Sequence, residues 1–265
     1  MGGRERLPRH RIHQARCRRV EHHGSKGLRH EMPHMSVDTL SETACRRAAN
    51  LRPEECQMTN TPALLDHVVV VTNDLDTAVE QIAKATGVTL EPGGVHPSFG
   101  TRNYLASFGS GAYLEVIGVD RENTGYTGTR PFGIDDATGT FAATWAITPQ
   151  DIEAAVVASR AHGVDPGEPE PKSRRRPDGS LLEWKLTHSF SEPSGVVPFM
   201  LDWEGATTPA ETTTATLKLV QLTASHPEPE TVVPLLRALG TDLNVKHGPA
   251  KLEVTLEGPA GRITL

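Results

Sequence analysis

The feature that most limits the fold is a strand–turn–helix pattern that occurs three times. LDHVVVVTNDLDTAVEQIAKATG (65–87) opens with a continuous β-branched run and continues with Leu75, Ala78, Val79, Ile82 and Ala83 at helical spacing. A β-branched run suits a buried strand, and the spacing gives one apolar stripe on a helix. Asp74 is placed to cap that helix and Gly87 to end it. FAATWAITPQDIEAAVVASRAHG (141–163) repeats the pattern, with Thr148 as the expected cap, Pro149 at the first helical position and Gly163 at the close. LKLVQLTASHPEPETVVPLLRALG (217–240) repeats it again and also ends in Gly. Shorter strand-like segments follow each helix: RNYLASFG and AYLEVIGV, then SLLEWKLTH and VVPFMLDW, then LNVKHG, KLEVTLEG and GRITL. The unit reads as β-α-β-β-β over roughly 50–60 residues, an antiparallel-rich α+β module.

Three stretches punctuate these units. Residues 120–139 are rich in Gly, Thr and Asp, residues 165–180 form a Pro- and charge-rich excursion, and residues 204–216 read as a linker. The expected organisation is a domain of two modules over 58–207 and a third, partial or divergent module over 216–265.

The first 57 residues stand apart. They hold 12 of the 27 Lys and Arg, 7 of the 33 Asp and Glu, six of the 12 His, and Cys17, Cys45 and Cys56, the whole cysteine complement. Apart from a short helical pattern over 36–51, they lack apolar periodicity, so ordering them would not be offset by burial. They also lack the apolar core of a secretory signal. Met58 begins MTNTPALLDHVVVV, which has the look of a natural start. Residues 1–57 are therefore read as a disordered or non-native extension, in preference to a His- and Arg-rich metal or nucleic-acid tail.

The body beyond them has 15 basic and 26 acidic residues, which argues against nucleic acid as a partner. Its lack of cysteine excludes a thiol nucleophile, a disulfide framework and a Cys-ligated zinc site there. No apolar run has membrane-spanning length. A cytoplasmic protein with a small-molecule partner is expected.

In AYLEVIGV, Glu115 shares one pleat face with Tyr113 and Ile117, while Leu114 and Val116 share the other. Taken singly, Glu115 on an exposed face and His67 as a hydrogen-bonded core residue would need no function. If that face is buried, an unpartnered carboxylate costs at least ~1–3 kcal/mol.

LDHVVVVTNDLDTAV, HPSFGTRNYLASFGSGAYLEVIG and PFMLDW together resemble the vicinal oxygen chelate superfamily, and within it the glyoxalase-like domain proteins. The resemblance covers 65–203 well and 217–240 more loosely. It implies paired βαβββ modules whose mixed sheets curl into a cup, as in the glyoxalase/dihydroxybiphenyl dioxygenase-like fold. It also implies that the first and last strands of a module adjoin, so that His67 and Glu115 face one cavity as two metal ligands. Imidazole and carboxylate suit Zn, Fe, Mn, Ni or Co, and such an ion polarises a chelating substrate oxygen. Without a metal, Glu115 is the candidate base.

The second module supplies Thr144 opposite His67 and Asp202 near the place of Glu115, so Asp202 is the candidate third ligand. His96 is the alternative, held extended by Pro97. His96, Thr101, Arg102 and Asn103 are candidate substrate contacts, with Arg102 pairing a carboxylate or phosphate. Thr101 and Asn103 read equally well as turn residues satisfying backbone. Trp145 and Trp184 are candidate cavity walls. Arg174, Arg175 and Arg176 read as an exposed charge run, and His188 as a loop residue. Two functions stay open: an isomerase, lyase or dioxygenase-like enzyme, and a non-catalytic binding or sequestering protein. Homodimerisation through the sheets is a third, structural reading.

Overall fold

A computed structural model describes residues 61–176, 178–188 and 194–265. The extension over 1–57 and its short helix lie outside the described residues. β1 (Leu65–Val71) leads into α1 (Leu75–Thr86), β2 (Glu91–His96), β3 (Thr101–Ser107) and β4 (Tyr113–Val119). After a 3-10 segment at Pro131–Asp136, the order returns as β5 (Phe141–Ile147), α2 (Ile152–Ala161), β6 (Glu170–Arg175), β7 (Leu181–Leu186) and β8 (Phe199–Asp202). The eight strands close in the order β1-β4-β3-β2-β6-β7-β8-β5. The two modules therefore share one internal strand order, β1-β4-β3-β2 and β5-β8-β7-β6, which is the repeat expected from the sequence.

The helices form where capping and periodicity place them. Asp74 accepts from the Thr77 N–H at 3.3 Å, and Gly87 ends α1 at φ 76°, a conformation open to glycine without a Cβ clash. The cap of α2 differs from the expectation. Asp151 accepts from the Ala154 N–H at 2.8 Å, and Thr148 is left free for another contact, described below.

β2 and β6 are the strands the sequence conceals. They fall in EPGGVH and EPKSRR, stretches whose Pro and charge suit edge strands. Each module thus ends in a weakly patterned edge, and the two edges meet through a single pair, Val95 with Arg175. The other seam is the long antiparallel pairing of β1 with β5.

Pleat alternation splits the apolar residues into two layers. Val68 and Val70 of β1, Leu114 and Val116 of β4, and Trp145 of β5 point outward into a core shared with the helices. Val69, Val71, Tyr113 and Ile117 point into the barrel. The outer layer is covered partly by a second sheet built from β9 (Lys218–His226), β10 (Asn244–His247), β11 (Lys251–Gly258) and β12 (Gly261–Thr264), with α4 (Pro229–Ala238). One helical turn, α3 (Pro209–Thr212), precedes it. This third unit has the β-α-β-β-β element order, but its strands pair as β10-β9-β11-β12. Its first strand lies between the second and third, so it builds no cup.

Candidate functional site

β1 and β4 run parallel and adjacent, with His67 across from Tyr113 and Val69 across from Glu115. Their inward residues line a cavity of about 550 Å³ inside the barrel. His67 is 3% exposed. Its Nε2 lies 3.6 Å from Glu115 Oε2, and its ring stacks on Tyr113 at 4.7 Å with the edge of Phe199 at 5.4 Å.

Asp66 completes the arrangement. β1 gains one residue relative to β5 between Leu65 and His67. Such a bulge re-aims a side chain that strict alternation would send elsewhere. Asp66 Oδ1 accepts from His67 Nδ1 at 2.7 Å, and its Oδ2 accepts from Thr148 Oγ1 and Trp203 Nε1, each at 2.7 Å. Burial alone would raise the Asp66 pKa. The hydrogen bond and charge of His67, with the bonds from Thr148 and Trp203, outweigh it and hold the carboxyl below its usual value. An ionised Asp66 accepts the Nδ1–H of His67 and so turns Nε2 toward the cavity. On the other flank, Asn103 Nδ2 donates to Glu115 Oε1 at 2.5 Å.

His96 and Thr101 join this wall, with His96 Nδ1 and Thr101 Oγ1 3.1 Å apart. Burial lowers the His96 pKa, and nearby Arg174 adds to this, while Glu115 and Asp120 oppose it. Burial pushes the Tyr113 phenol well above its usual value, and the charges of Asp66 and Glu115 push it further. Tyr113 therefore stays a neutral hydroxyl.

Of the residues singled out from the sequence, His67, His96, Thr101, Asn103, Glu115 and Trp184 line the cavity together. Three do not. Arg102 alternates outward between Thr101 and Asn103, and its guanidinium binds Tyr104 Oη at 2.8 Å. Trp145 belongs to the outer core, its Nε1 donating to the Val196 carbonyl at 2.8 Å. Asp202 is out of phase with the inward Phe199 and Leu201, and it accepts the Glu204 N–H at 2.8 Å. His188 sits at the cavity rim, largely exposed and 3.9 Å from Glu170.

Arg174 was hidden in its charge run. Alternation along β6 turns Lys172 and Arg174 to the cavity while Ser173 and Arg175 face away. Arg174 is 8% exposed, and its Nη1 donates to the Gly93 carbonyl of β2. Counting alternate residues in KSRRR is the signal that would have separated it from its neighbours.

The donor set can be tested against a divalent ion. Nε2 of His67 and Oε2 of Glu115 are two suitable donors, but β8 offers Phe199 and Leu201 at the cavity, and Thr144 of β5 does not line it. Among the described residues, no cluster of three or more His, Cys, Asp or Glu side chains is arranged to hold a metal. His96, the alternative third ligand, shares this wall but has its Nδ1 against Thr101 Oγ1 and is not gathered with the other two. Two protein donors fall short of the three or four that hold a resident transition ion, so the residues do not fit one.

Comparison with known proteins agrees with this architecture. A family model described as a glyoxalase-like domain matches residues 65–240. A hypothetical protein from Staphylococcus aureus is similar in structure, with TM-score 0.51 and 16% identity over 76% of this chain and 83% of that one. Methylmalonyl-CoA epimerase from Mycobacterium tuberculosis aligns at TM-score 0.35 and 22% identity, over 58% of this chain and 92% of that one. Comparison with curated proteins gives no match. Among the described residues, no helix is long and apolar enough to cross a membrane. With the matching model spanning both barrel modules and the first strand and helix of the third unit, the chain belongs to the glyoxalase-like domain family of the vicinal oxygen chelate superfamily.

Proposed function

We propose that this chain is an enzyme that moves a proton on a small oxygenated molecule, in an isomerase- or lyase-type reaction, with Glu115 as the base. The observation that carries this reading is the Asp66–His67···Glu115–Asn103 chain of side chains facing one cavity. A carboxylate steadied by one hydrogen bond and open on its other oxygen suits abstraction of a proton from carbon beside a carbonyl. His67 Nε2, 3.6 Å away, takes up and returns a proton at the same point. The neutral Tyr113 hydroxyl supplies a donor for the oxyanion that develops. Asp66 and Asn103 position the two groups and touch no reacting atom.

The test is deuterium exchange. Chelator-treated protein is incubated in heavy water with a panel of 2-oxo acids and α-hydroxy ketones, and proton NMR follows loss of the α-hydrogen. Exchange by the wild type should fall roughly 100-fold or more in Glu115→Gln. Equal rates in the two proteins would sink the assignment.

A second reading is a non-catalytic binding protein. It is favoured by the wall opposite Glu115, where Phe199, Leu201, Trp184 and Trp203 present apolar surface without an acid or base. Saturable binding of panel members with no exchange would select it.

A further inference from the structure

We infer that Arg174 is the anchor for a carboxylate on the ligand, so that the substrate class is a small organic monoanion whose reacting carbon lies between Arg174 and Glu115. This rests on the reading of the cavity as a ligand site, but not on Glu115 being a base. A guanidinium has five N–H donors in a planar fork. One nitrogen of Arg174 is engaged with the Gly93 carbonyl. The charge of Glu115 acts on it across the cavity, but among the described residues no carboxylate is within ion-pair distance of it. Yet the side chain is more than nine-tenths buried and lines the cavity. An arginine this buried is ordinarily paired, because an unpaired buried charge is costly. The cavity side is where a ligand can supply the missing anion.

The surrounding groups narrow the anion. Lys172, the other cation on this face of β6, is already held by Glu170 at 2.7 Å. Glu115 brings a negative charge to the same cavity. Asp165 also lines the cavity but is held by Arg160. One uncommitted cation near one uncommitted acid therefore suits a single negative charge, and a dianionic phosphate would meet repulsion from Glu115 without a second cation to offset it. The Gly93 bond also sets the reach of the fork. It ties the guanidinium across the single-pair β2–β6 seam, which leaves it little freedom to turn away. Arginine matches a planar carboxylate in a bidentate fashion, which lysine cannot do. Apolar walls at Phe199, Leu201 and Trp203 complete a site for a short hydrocarbon body bearing one acid group.

The test compares 2-oxo and 2-hydroxy monocarboxylates of graded chain length with their neutral amides and with inorganic phosphate, by ligand-observed NMR on the full chain. The wild type should bind at least one acid roughly 30-fold or more tightly than its amide, the loss typical of removing one partner from a buried charge pair. Phosphate should compete weakly. Arg174→Gln should abolish the preference for acid over amide, and Arg174→Lys should retain only part of it. Glu115→Gln should keep the preference, so failure of the base assignment leaves this result standing. The comparison within the wild type needs no variant, so it remains decisive if Arg174→Gln does not fold. Equal affinity for acids and amides, no acid bound at all, phosphate bound more tightly than any acid, or an undiminished preference in Arg174→Gln would each overturn the inference.

Discussion

Removing the Asp66 carboxylate should unsettle both the fold and the site. Three donors converge on it: His67 Nδ1, Thr148 Oγ1 and Trp203 Nε1. In Asp66→Ala all three lose their acceptor. Thr148 is part-buried and can turn to water, whereas His67 and Trp203 are 3% and 7% exposed and cannot. Each orphaned buried donor costs about 1–3 kcal/mol. The two together give about 2–6 kcal/mol, a large share of the ~5–15 kcal/mol that holds a typical domain. Asp66→Asn keeps the shape and one oxygen, which can accept two of the donors, but its NH₂ meets the third. Its loss should be smaller, about 1–3 kcal/mol. Urea unfolding at neutral pH would measure both, read as a lower midpoint at unchanged slope. The nitrogen NMR signals of His67 should report a proton held on Nδ1 in the wild type and a weakened preference in Asp66→Asn. A loss under about 1 kcal/mol in Asp66→Ala, or Asp66→Asn at least as damaging as Asp66→Ala, would refute the view that Asp66 is the shared acceptor of this cluster.

Two further outcomes follow from the layering and from the edge of β2. Trp145→Ala should destabilise the protein by about 3–5 kcal/mol, because it empties a fully buried place in the outer core. Trp184→Ala should instead weaken ligand binding with a smaller stability loss, and the reverse pattern in paired unfolding and binding titrations would contradict the two-layer assignment. Glu91 anchors the chain before the second sheet through the Thr214 hydroxyl, the Thr214 N–H and the Ala215 N–H. The Thr214 hydroxyl bond is the main cause of its lowered pKa, with slight burial opposing and the two backbone N–H groups adding. The folded state thus binds this proton less readily than the unfolded state, so the stabilisation is present above the ordinary glutamate value of 4.5 and is lost as pH falls through the folded value. The melting temperature gap between wild type and Glu91→Gln should shrink from about pH 6 to about pH 3, and a constant gap would argue against it.

Much of the site was legible because one simple period carries it. Period-two alternation in AYLEVIGV put Glu115 on one face with Tyr113 and Ile117, and those three do line the cavity. The same rule, applied along β3, separates Thr101 and Asn103 from Arg102, and applied along β6 it separates Arg174 from its neighbours. Arg102 and Arg174 exchange their expected places for this one reason. Asp202 failed by a single residue of register, and in a strand a single step reverses the face. Asp66 could not be placed by alternation at all. Its aim depends on a bulge, and a bulge is a property of how two strands pair.

Sequence alone determined most elements and their repetition: β-branched runs, capped amphipathic helices and their order mark β1, α1, β3 and β4 and the matching β5, α2, β7 and β8, because these are local preferences. It also determined that His67 and Glu115 belong to the first and last strands of one module. Tertiary structure decided which side chains share the cavity. The concealed strands β2 and β6 carry Pro and charge where a strand signal was expected, and only their meeting at Val95 and Arg175 brings Arg174 against the first module. The third unit shows the same division: its element order repeats, while its pairing as β10-β9-β11-β12 makes it a cover for the outer core. Strand pairing is a long-range choice among edges of similar chemistry, and burial across the whole chain settles it.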